Sequence, residues 1–128
     1  MTSSNTNEAE EVVAGQLAAY NARDIDAFMA YWHDDALYYE HPATLLAEGA
    51  AAIRQRHEIR FAEPLLFGQL LTRVSVGNLV VDREVVRRTF AGGVGTVDVI
   101  AIYEVSDGKI AKAWFKLGTP KLDTATDH

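Results

Sequence analysis

No cysteine occurs among the 128 residues, so disulfide cross-links, thiolate nucleophiles and cysteine-held metals are excluded together, and a reducing compartment is the expected setting. No apolar stretch approaches the roughly 20 residues that a membrane-spanning helix requires, so no membrane partner is expected. Residues 1–7 carry neither the basic segment nor the apolar core that directs secretion, which makes the cytoplasm the expected location. A cluster of Lys and Arg is also missing. With a net charge of −6 and no basic patch, counterion release from a phosphate backbone has nothing to drive it, and nucleic acid is not an expected partner. His33, His41 and His57 do not form the helical i, i+4 pair of a metal site, so neither a metal nor another cofactor is expected.

What is present suits one compact globular domain. At 48% hydrophobic and 23% charged residues the chain can bury a real core. The domain is expected over 8–117, with 1–7 and 118–128 as flexible tails rich in Thr, Ser, Asn and Asp. Val12, Val13, Leu17 and Tyr20 recur at helical spacing over 8–22, behind the acidic Glu8, Glu10 and Glu11 that favour a helix N-terminus. Asp24 caps a second short helix burying Ile25, Phe28, Met29 and Trp32, closed by His33-Asp34-Asp35. A strand over 36–41 stops at Pro42. In a third helix over 49–62, Ile53, His57 and Phe61 share one stripe. Four strands follow over 69–76, 79–89, 95–105 and 109–117, separated by the turn residues Gly77-Asn78, Ala91-Gly92-Gly93 and Asp107-Gly108. Helices followed by a strand meander define an α+β fold with three helices against one face of a curved antiparallel sheet. Alternation sends Val97, Val99, Ala101, Tyr103 and Val105, and Ala111, Ala113, Phe115 and Leu117, toward the helices. Ile110 and Trp114 then fall on the outer face with Ile100 and Ile102, a set apolar enough to predict a homodimer through that face.

The chemically sharpest feature is Glu40-His41 at the end of an aromatic strand. Desolvation raises a carboxyl pKa and neighbouring charge moves an imidazole, so either side chain suits a general base. The alternative is that the pair merely finishes a strand at the rim. Gln16 and His57 lie on apolar helix stripes, where polar groups need partners.

Tyr20-Asn-Ala-Arg-Asp-Ile-Asp26, Asp34-Asp35-Ala36, Ala52-Ile-Arg54 and the run 101–110, in this order of elements, resemble the nuclear transport factor 2-like superfamily, nearest its SnoaL-like and ketosteroid isomerase-like branches. The resemblance implies a cone with a deep pocket between sheet and helices. It also implies a base at Glu40 or His41, depending on the alignment anchor. The family's helix-one tyrosine falls on Gln16, its late acidic donor on Ala101 and a third-helix hydroxyl near His57. Losing an oxyanion donor costs about 2.7–4 kcal/mol, so ketosteroid isomerase activity is not expected. Asp82-Arg83-Glu84 resembles the acid-arginine-acid set of epoxide hydrolase relatives, but neighbouring strand residues face opposite sides, which assigns the run to a sheet edge or an interface.

The expected function is therefore a small-molecule pocket protein, read as a cofactor-independent enzyme moving a proton on an apolar cyclic substrate by isomerisation, dehydration or cyclisation. Glu40, His41 and His57 are the expected catalytic groups, and Gln16, Tyr20, Phe28, Phe61, Ala101, Tyr103 and Phe115 the expected substrate contacts. The alternative is a noncatalytic binder of a hydrophobic metabolite.

Overall fold

A computed structural model describes residues 7–123. Helix α1 spans Glu8–Ala22, and the Asn7 side chain accepts from the Glu10 amide to cap it. It ends where Arg23 turns left-handed at φ 55°. Asp24 caps the five-residue α2, Ile25–Met29, by accepting from the Ala27 amide at 3.1 Å. Strands β1 (Trp32–Glu40) and β2 (Thr44–Glu48) form a hairpin, α3 covers Ala50–Phe61, and β3 (Phe67–Val76), β4 (Leu79–Phe90), β5 (Gly93–Ser106), β6 (Lys109–Leu117) and β7 (Lys121–Leu122) complete the chain.

The fold is α+β as expected: three helices and a curved, unclosed sheet of seven strands, ordered β2-β1-β6-β5-β4-β3 with β7 beside β5. Its pairing corrects the expectation of a purely antiparallel sheet, because β1 runs parallel to β6. That pairing also explains why 32–35 are strand rather than the close of α2. Trp32 aligns with Ile110 and the Ile110 amide donates to the Tyr31 carbonyl at 2.7 Å, so the available edge of β6 outweighs the local helical pattern. Strand β2 had no periodic signal of its own.

Alternation along β5 holds: Val97, Val99, Ala101, Tyr103 and Val105 are all buried. Along β6 it holds only from Lys112 onward. Glu104 pairs with Lys112 but Val105 pairs with Ile110, leaving Ala111 as an extra residue. This irregularity turns Ile110 inward, fully buried, and corrects its placement on the outer face. Trp32, Phe28, Ile53 and Val13 are likewise buried from helices and β1, each worth about 1.5–3 kcal/mol of burial.

Residues 118–123 are not a free tail. Beyond the end of β6, β7 continues along the same edge of β5, with Gly95 opposite Leu122 and Thr96 opposite Lys121. Gly95 is required there, since a Cβ would run into the Lys121 carbonyl oxygen and the Leu122 backbone. On the far side, edge strand β3 is tied to α1 at both ends: Asn21 donates to the Gly68 carbonyl at 2.9 Å and accepts from the Gly68 amide at 2.7 Å, and the Ser75 hydroxyl donates to the Glu10 carboxylate.

Gly95→Ala is expected to detach β7 without unfolding the rest. Hydrogen exchange should show faster exchange at 121–122 and unchanged protection in β4 and β6; unchanged protection of β7 would refute the packing argument.

Candidate active site

A cavity of about 290 Å³ lies between the inner face of the sheet and helices α1 and α3. Its walls are buried residues: Gln16 from α1, Trp32 from β1, His57 from α3, Glu84 and Val86 from β4, Val97, Val99 and Tyr103 from β5. The more exposed Glu40, Leu46, Arg56 and Leu117 form its rim. Aromatic surface comes from Tyr20, Tyr38 and Phe115; the Tyr38 and Phe115 rings lie 4.6 Å apart.

The charge chemistry centres on β4. Asp82, Glu84, Val86 and Arg88 alternate inward along this strand, while Arg83 is exposed. The expectation that Asp82-Arg83-Glu84 forms an edge or interface set is thereby corrected: alternation separates Arg83 from two acids that both enter the interior. Asp82, fully buried, accepts two hydrogen bonds from Arg73 on β3, at 2.7 and 2.8 Å. Glu84 is 5% exposed and has no such partner. Burial, reinforced by the Asp82 carboxylate and offset in part by Arg73, pushes the Glu84 carboxyl up to about 7.

His57 is buried, and its Nδ1 faces the Ile53 carbonyl oxygen at 2.8 Å. A carbonyl only accepts, so Nδ1 carries the proton and Nε2 is left as an acceptor. Burial is the main cause that lowers the imidazole pKa to about 4, with Arg56 and Arg60 adding to it. At neutral pH His57 is an uncharged acceptor, which removes it from the role of donor to a polarised oxygen. Gln16 donates to the Val13 carbonyl at 3.3 Å. Burial raises the Tyr20, Tyr38 and Tyr103 hydroxyls above their ordinary range, so all three remain protonated donors.

Of the residues proposed from sequence, Gln16, Tyr20, Tyr103, Phe115, His57 and Glu40 line this cavity. His41 does not. It is exposed in the β1–β2 turn, where its backbone amide donates to the Phe115 carbonyl, and Glu40 beside it is exposed at the rim. Phe28 and Phe61 pack behind the wall with rings 5.3 Å apart, and Ala101 is buried in the core away from the lining. Sequence reasoning left Glu84, Arg56, Arg60 and Arg88 out of the site and read Trp32, like Phe28, Phe61 and Phe115, as chiefly core packing with some of the four lining the cavity. The signal for Glu84 and Arg88 was present: Val80, Asp82, Glu84, Val86 and Arg88 alternate with the rest of β4, and an acid on such a stripe deserved the scrutiny given to Gln16.

Among the described residues three buried side-chain atoms have no hydrogen-bond partner: Trp32 Nε1, Glu84 Oε2 and Arg88 Nε. All three residues line the one cavity. Buried polar atoms are nearly always satisfied, so an unpartnered donor, acid and cation on three residues lining one cavity mark it as the candidate site. No cluster of three or more His, Asp or Glu suited to a metal occurs among the described residues.

Residues 13–113 match the family model of the SnoaL-like domain, and the chain belongs to that family. Comparison with curated proteins gives no match. Among solved structures, an uncharacterised cystatin-fold protein of Novosphingobium aromaticivorans is 27% identical, with TM-score 0.76 over 87% of this chain and 98% of that one. An LEH-like epoxide hydrolase of M. tuberculosis superposes with TM-score 0.75 at 18% identity, over 90% of this chain and 86% of its own. IdmH of Streptomyces antibioticus, a candidate polyketide cyclase, gives TM-score 0.73 at 20% identity, over 92% and 94%. These last two likenesses establish fold.

Glu84 sets a pH signature on stability. Its pKa rises from 4.5 to about 7 on folding, so in that window the native state holds a proton that the unfolded chain lacks, and stability falls as pH rises through it. Glu84→Gln removes the effect. In urea titrations its stability relative to wild type should climb between about pH 4.5 and 7, by up to about 3 kcal/mol, then stay level. A difference independent of pH would show that Glu84 is not desolvated.

Proposed function

We propose that the protein is a cofactor-independent enzyme that moves a proton on a small ring-bearing substrate, with Glu84 as the acid–base group. The observation that carries this is a cavity-lining, buried carboxyl poised near neutral pH with one oxygen that has no hydrogen-bond partner. Glu84 Oε2 takes a proton from a carbon beside a carbonyl, the bonding pair moves onto the carbonyl oxygen, and the same carboxylic acid returns the proton at another atom. Trp32 Nε1–H and the Tyr103 hydroxyl are the candidate donors to that oxygen. His57 Nε2 serves as an acceptor for a substrate hydroxyl. The names of the structural relatives, an epoxide hydrolase and a candidate polyketide cyclase, support small-molecule chemistry in a cavity of this kind. Glu40 and His41 are assigned no proton transfer.

The reading is tested with 5-nitrobenzisoxazole, whose ring opens on loss of one carbon-bound proton. Wild-type protein should catalyse the elimination with a pH midpoint near 7, and Glu84→Gln should lower the rate by about a hundredfold or more. Glu40→Gln and His41→Ala should leave it unchanged. A rate insensitive to Glu84→Gln would overturn the assignment. Binding of the probe without turnover would instead support the noncatalytic binder.

The outer face supports a homodimer as a further part of this reading. Leu45, Tyr39, Trp114, Ile102, Val81 and Val74 occupy one register row across six neighbouring strands, and Tyr39 stacks on Trp114 at 5.7 Å. Sedimentation should give a dimer for wild type at micromolar concentration and a monomer for Trp114→Glu; a monomeric wild type would refute it.

A further inference from the structure

The cavity expected from sequence was apolar, yet three guanidinium groups meet at one side of it. Arg56 and Arg60 stand four residues apart on α3, and Arg88 reaches the same space from β4. They feel one another: after burial, Arg60 is the largest influence lowering the Arg88 pKa, and Arg56 acts in the same direction. Compensation is incomplete. Arg60 pairs with Glu63 at 2.9 Å, and the other Glu63 oxygen is taken by the Thr89 amide at 2.7 Å. Arg56 lies over the Tyr38 ring and Arg88 over the Phe90 ring, at 5.3 and 4.7 Å, contacts that leave the positive charge unneutralised. Arg88 Nε is buried and open. Glu40, on the same rim, forms no ion pair with any of the three among the described residues. A chain of net charge −6 therefore gathers three guanidinium groups at one cavity, with Glu63 paired to Arg60 and no ion pair made by Arg56 or Arg88 among the described residues.

We propose that the cavity takes an organic carboxylate, its carboxylate group held by Arg88 and Arg60 with Arg56 flanking, and its ring body along Tyr20, Tyr38 and Phe115. The planar fork of a guanidinium matches a carboxylate through two parallel N–H donors, and Arg88 keeps its Nε–H without a partner. About 290 Å³ limits the body to roughly two fused rings. The inference rests on the reading that this cavity is the substrate site, and it adds the substrate's charge.

Calorimetry with 2-naphthoate and its neutral counterpart 2-naphthamide tests the proposal. Wild-type protein should bind the acid about tenfold or more tightly than the amide. Arg88→Met and Arg60→Met should each weaken naphthoate alone, and Arg88→Lys should recover part of the loss. Equal affinities in the wild type, a preference that survives both methionine variants, or no binding of either probe would overturn it. The wild-type comparison decides the matter even if a variant fails to fold. A charge preference in a protein that does not turn over 5-nitrobenzisoxazole keeps the anion site and removes the proton transfer. Turnover without charge preference does the reverse.

Discussion

The parallel ladder between β1 and β6 is the constraint from which the rest of the architecture follows. It joins an early strand to a late one and aligns Trp32 with Ile110, Tyr38 with Ala113 and Tyr39 with Trp114. Parallel strands cannot be linked by a tight turn, so everything between them must cross over; β2, α3 and the β3–β5 meander make up that crossover. One face of the ladder then carries Tyr38 and Phe115 into the cavity wall, and the other carries Tyr39 and Trp114 outward. Cavity and outer apolar row are two sides of a single pairing decision.

Desolvation governs what happens inside. The same burial raises a carboxyl and lowers an imidazole, so Glu84 and His57 both move toward their neutral forms at neutral pH. Arg73 grips both oxygens of the neighbouring Asp82. Two acids two residues apart on one strand thus differ in their partners: Asp82 is held by two hydrogen bonds from Arg73, and Glu84 keeps one oxygen without a partner. Their proximity also couples them, since the ionised Asp82 is part of what holds Glu84 up.

Much of the fold was legible because it rests on strong local signals. The acid-headed stripe of α1, the Asp24 cap, and the β3–β6 meander with its glycine turns all appear where the sequence places them. What the sequence hid was long-range. Trp32 enters a strand because a distant edge accepts it, Ile110 turns inward because β6 holds one extra residue, and β7 exists because β6 stops short along β5. The site was legible in its geometry and misread in its chemistry. Gln16, Tyr20, His57, Tyr103 and Phe115 follow from helix stripes and strand alternation. Glu40-His41 drew attention as an adjacent pair, yet adjacency says nothing about depth, and strand ends lie at the rim. Glu84 sits mid-strand, where a carboxyl is costly, and that cost marks it.

The Asn21 amide has a meaning beyond tying a helix to a strand. By offering one acceptor and one donor to the free edge of β3 at Gly68, it imitates the backbone of a neighbouring strand for one residue. Together with Arg23, which donates to the Leu66 carbonyl just before that strand, it fills the positions through which an unrelated extended chain would add to the sheet. Ahead of the exposed Leu70, Leu71, Val74 and Val76, the entry to this sheet edge is thus already occupied by the chain's own groups.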